Sequence, residues 1–98
     1  MAVLDRANAL RDVIAEYEEE RSVEASRLDN LRLRRAKLEL AREAFLEHGE
    51  PAEAERLRTE IREVDHHIRA SEKRLAQITN QIDLYRRTLD RLTRGPSP

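Results

Sequence analysis

The chain has 98 residues, of which 40% are charged and 3% aromatic, and its net charge is -1. That length allows one small domain, and a single Phe with no Trp excludes a compact globule packed around aromatic side chains. Near-neutral charge and periodic apolar residues exclude a disordered chain, so the abundance of Arg, Glu, Leu and Ala points to long helices.

The first element predicted is a helix over about 3–47, with neither Gly nor Pro inside it. The only two glycines, Gly49 and Gly95, are each followed closely by proline, in Gly49-Glu50-Pro51 and Gly95-Pro96. Gly ends helices by taking the left-handed position after the last turn, and Pro suits the first turn of the next. His48, Gly49, Glu50 and Pro51 are therefore read as a hairpin turn. The second helix follows over about 51–94, and residues 95–98 form a disordered tail. At about 1.5 Å per residue each helix is roughly 65 Å long, and helices of that length without internal caps point to a coiled coil.

Helix 2 carries the clearer seam. Leu57, Ile61, Val64, Ile68, Ser71, Leu75, Ile78, Ile82, Tyr85, Leu89 and Leu92 alternate spacings of four and three, as coiled-coil positions do. Helix 1 repeats the spacing more loosely through Val3, Ala7, Leu10, Ile14, Tyr17, Arg21, Glu24, Leu28, Leu31, Arg35, Leu38, Arg42 and Phe45. Folding the chain at Gly49–Glu50 places opposite each other the residues whose numbers add to 99, so that Leu38 meets Ile61 and Ile14 meets Tyr85. Both seams stay in phase along the whole length. Charge agrees: residues 1–24 hold three basic and seven acidic groups, and residues 75–98 hold four basic and two acidic. Such exposed pairs are worth only ~0.2–1 kcal/mol each, so they orient more than they stabilise. The fold expected is all-α, a long antiparallel two-helix coiled-coil hairpin forming one domain over 1–94. An extended chain pairing its helices between molecules is the alternative, and the Gly-x-Pro break disfavours it. The charged seam residues Arg21, Glu24, Arg35 and Arg42 are expected to pack their stems and keep their heads in water.

Candidate sites are few. Glu63-x-x-His66, with His67 beside it, matches the spacing used by di-iron carboxylate bundles, but with Ile61 and Val64 in the seam these residues point away from helix 1. A metal site there requires another subunit to complete it, and solvated helix faces commonly carry Glu and His. The tip is acidic, with Glu43, Glu47, Glu50, Glu53 and Glu55. It resembles, in shape alone, the acidic-tipped hairpins that enter an RNA polymerase channel. Glu53 and Glu55 also suit the positive end of the helix 2 dipole. A basic stretch (Arg27, Arg32, Arg34, Arg35, Lys37, Arg42) suggests phosphate binding, against which stand interspersed acids and the lack of stacking aromatics.

There is no Cys for a disulfide or thiolate metal site. The first ten residues lack the basic and apolar regions of a leader peptide, and no apolar run approaches the ~18 residues of a membrane span. A cytoplasmic protein without a membrane segment is expected. Nor is there a Ser/His/Asp set or a phosphate loop, so neither catalysis nor a cofactor is expected. The face of helix 1 turned away from helix 2 carries large apolar residues, among them Leu33 and Leu40, a heptad apart and flanked by Ala36 and Ala44. A helical stripe of this kind is expected to be an oligomer interface that pairs two hairpins into a four-helix bundle or larger assembly. The function expected is therefore a self-associating scaffold that binds itself and another protein. The alternatives are a nucleic-acid or polymerase accessory hairpin and a metal-binding bundle completed by oligomerisation.

Overall fold

The computed structural model describes residues 2–94, and the tail over 95–98 lies outside them. The described chain is two long helices, α1 (Val3–Glu47) and α2 (Pro51–Arg94). The turn between them follows from its residues. Gly49 has φ +70°, in the left-handed region. Its N–H donates to the carbonyl of Leu46 (3.3 Å), and the N–H of Glu50 donates to that of Phe45 (2.9 Å). These two bonds form a Schellman motif, which satisfies carbonyls the helix end would otherwise leave open. His48 adds a third cap, because its Nδ1–H donates to the Ala44 carbonyl at 2.7 Å. Glu50 then serves the next helix: its carbonyl accepts from the N–H of Ala54 (3.2 Å), and Pro51 takes the first helical position, where its missing N–H costs nothing.

Gly49→Ala is expected to lower the free energy of unfolding by about 1 kcal/mol, since a left-handed residue with a Cβ costs roughly that much. Nothing lies within 4 Å of a Cβ placed there, so the cost is conformational and not steric. Gly49→Asn should cost less, because Asn tolerates this region. Urea unfolding followed by circular dichroism measures both.

The chain divides into two compact units. In the unit holding the turn, Ala25–Lys73, Leu28, Ala54, Leu57, Ile61, Val64 and Ser71 are buried. Arg35 donates through Nε to Asp65 Oδ1 and through Nη2 to Asp65 Oδ2 at 3.3 Å, and Arg32 reaches Glu72 at 3.5 Å. These contacts join residues whose numbers add to 99 or a few more, as an antiparallel fold at Gly49–Glu50 requires. The Arg35 guanidinium, donating to Asp65, holds that carboxyl below the usual range.

The second unit joins the start of α1, up to Glu24, to the end of α2, from Arg74. Its core is Ile14, Ile78 and Ile82, with Tyr17, Tyr85 and Leu89 packed against them, and Ile82 is fully buried. The Tyr17 and Tyr85 rings stack with centroids 5.6 Å apart and planes at 22°. Ala7 is also buried. Arg74 bridges to Glu20 (2.7 Å) and Glu24 (2.9 Å), and Arg86 meets Glu18 at 3.2 Å.

Two seam residues depart from expectation outright, and a third, Arg42, departs in part because its Nε is enclosed. Val3 is exposed. It opens α1, and its counterpart by number is Pro96, outside the described residues. Glu24 does not hold its head in water: its side chain is only 6% exposed, set against the Arg74 guanidinium. A short carboxylate stem has no reach to snorkel, so Arg74 comes to it.

Candidate interaction surface

Helix α2 is amphipathic in a single direction, whereas the apolar residues of α1 are spread around its circumference. The difference shows in exposure. Of seven large apolar side chains left exposed among the described residues, Val3, Leu4, Val23, Leu33, Leu40 and Leu46 lie on α1, and only Leu84 lies on α2. Val13, which the spacing also places off the seam, is half-buried.

Leu33 is 55% exposed and Leu40 66%, and Ala36 and Ala44 are exposed with them. The four residues repeat at helical spacings of three, four and seven, so they form one stripe. The seam residues Leu31, Arg35, Leu38 and Arg42 are all half-buried and lie on the other side of α1. The stripe is thus a second face of a helix whose first face already packs on α2. Its two alanines leave the backbone accessible to close approach by another helix.

Several of the other charged groups are engaged with one another. At the tip, Glu53 pairs with Arg56 (2.8 Å) and Glu55 with Arg58 (3.8 Å), each one turn along α2. In the basic stretch, Arg32 and Arg35 are committed to Glu72, Asp65 and Glu39. Arg27, Arg34 and Lys37 are exposed. Arg42 is half-buried, and its Nε is enclosed without a hydrogen-bond partner. Glu63, His66 and His67 are all exposed, the two imidazoles lying edge-on at 6.1 Å. No three His, Asp or Glu side chains among the described residues are grouped to hold a metal ion.

One feature carries no recognisable motif. In the unit holding the chain's N-terminal part, Val13, Glu16, Tyr17 and Glu20, at i, i+3, i+4 and i+7 of α1, join Tyr85 of α2 around a groove of ≈ 420 Å³. The heptads place both tyrosines in the seam, but only the folded pair creates the groove. The Tyr17 hydroxyl is pushed above its ordinary value, first by Tyr85, then by desolvation, and also by Glu20 and Glu16.

No protein-family model matches the chain, and no curated protein or solved structure matches it either. Among the described residues no helix is long and apolar enough to cross a membrane.

Proposed function

We propose that this chain is a non-catalytic protein–protein interaction module that associates with a second copy of itself through the outer stripe of α1. The observation carrying this reading is the exposure of Leu33 and Leu40 on a helix whose opposite face is already packed. Single exposed leucines are ordinary on soluble proteins. A stripe with flanking small residues, confined to one helix of two, is a surface suited to another helix. Energetics favour the same reading. Ordering a chain costs on the order of 1.5 kcal/mol per residue, and two helices bury little of each other. Pairing two copies through α1 would build a four-helix bundle with the α1 helices central, the coiled-coil seam of each hairpin supporting the new interface. Each leucine buried there would contribute about 1.5–3 kcal/mol.

Light scattering coupled to gel filtration tests this reading. The wild-type chain is expected to run as a dimer or larger species at micromolar concentration. Leu33→Glu/Leu40→Glu is expected to weaken association at least tenfold, about 1.4 kcal/mol, with helicity by circular dichroism read alongside. A wild type that is monomeric and fully helical would overturn the proposal.

A further inference from the structure

We propose that the groove between Tyr17 and Tyr85 receives an arginine side chain from a partner polypeptide. The groove lies in the other unit from the Leu33–Ala44 stripe, so this inference does not rest on self-association.

Four features of the groove converge on that chemistry. First, it is aromatic: two tyrosine rings stack at 5.6 Å, and the outer face of such a ring attracts a cation through its negative quadrupole. Second, it carries two carboxylates, Glu16 and Glu20, of which Glu20 is already paired with Arg74. Glu16 is exposed and makes no ion pair among the described residues, so its carboxylate has no cation of its own. Third, three basic and seven acidic residues over 1–24 face four basic and two acidic residues over 75–98, so the acids of α1 outnumber the bases set against them. Fourth, the chain already seats a guanidinium on this edge, because Arg74 reaches Glu20 at 2.7 Å.

Size and shape select the occupant. A volume of ≈ 420 Å³ falls toward the lower end of small-ligand clefts, about 300–1,000 Å³, and so has room for a long side chain but not for a packed helix. Val13 supplies an apolar wall for a methylene stem. A planar guanidinium stacks on a ring face while its N–H groups donate to a carboxylate beside it. An ammonium is a compact, strongly hydrated point charge that gains less from stacking. Arginine is therefore preferred to lysine.

Composition makes the test specific. Tyr17 and Tyr85 are the only tyrosines and there is no tryptophan, so intrinsic emission reports on the groove alone. The full chain is titrated with a capped oligo-arginine peptide at low ionic strength, and with oligo-lysine of equal length. A saturable change in tyrosine emission is expected with oligo-arginine, and a weaker response with oligo-lysine. Glu16→Gln alters an exposed residue that supports no packing. It should keep the helical spectrum and bind oligo-arginine about fivefold more weakly, the upper range for one exposed ion pair. The Leu33→Glu/Leu40→Glu protein, where it remains helical, should respond as the wild type does, which separates failure of this site from failure of self-association. Equal responses to the two peptides, an unaltered titration in Glu16→Gln, or binding without any tyrosine change would each overturn the proposal.

Discussion

Ile82→Ala is expected to cost about 2–5 kcal/mol of unfolding free energy, the range for removing a large aliphatic side chain from a packed site. Ile82 is fully buried, and it packs with Ile14 and Ile78 under Tyr17, Tyr85 and Leu89. Two terms make the loss large. The methylenes lose their transfer free energy, and a cavity is left beneath a stacked ring pair held at 5.6 Å. Small domains have only ~5–15 kcal/mol in total, so the substitution takes a sizeable fraction of the whole. Leu84→Ala is the control, since Leu84 is exposed and surface changes usually stay within about 0.5 kcal/mol. Thermal and urea unfolding of both variants decide the matter. Similar losses at the two positions would mean that Ile82 does not anchor the core.

That core position is legible in the sequence because burial in paired helices follows a strict period. Ile78 and Ile82 are reached by steps of three and four from Leu57, and each step keeps the residue on one face. The turn is legible for a different reason: Gly49 and Pro51 act on backbone geometry, which local chemistry fixes without tertiary help. Other features depend on what the period brings together and are hidden from it. The period marks Glu24 as a seam position of the wrong polarity, yet only the folded pair shows Arg74 reaching across to it. The groove at Tyr17 needs residues from both helices, and no spacing along either helix records the cleft between them. The Leu33–Leu40 stripe is legible as an apolar face, and the fold leaves it exposed.

Arg74→Met is expected to destabilise the chain by about 2–3 kcal/mol, although Arg74 itself is largely in solvent. The reason lies in Glu24, whose side chain is 6% exposed while that of Arg74 is 57% exposed. Removing one member of a buried charge pair costs far more than the pair is worth, because the remaining charge keeps its desolvation penalty and loses its cation, while the other contact that Glu24 makes within the chain stays in place and limits the loss. The upper end of such losses, ~3–5 kcal/mol, applies to pairs buried on both sides, and the exposure of Arg74 lowers the expectation here. Methionine preserves much of the unbranched stem, so the loss measures charge more than packing. The Glu20 contact at 2.7 Å disappears with the same substitution. Glu20 is better exposed than Glu24, and water replaces the guanidinium there at little cost. The double variant Glu24→Leu/Arg74→Met separates the two explanations. With the carboxylate gone and an aliphatic group in the seam, stability should return to near or above that of the wild type, as it does when buried ion pairs are exchanged for apolar groups. If the double variant is as unstable as Arg74→Met alone, the charge on Glu24 is not the cause, and Glu24→Leu alone then separates the missing Arg74 stem from the other contact that Glu24 makes.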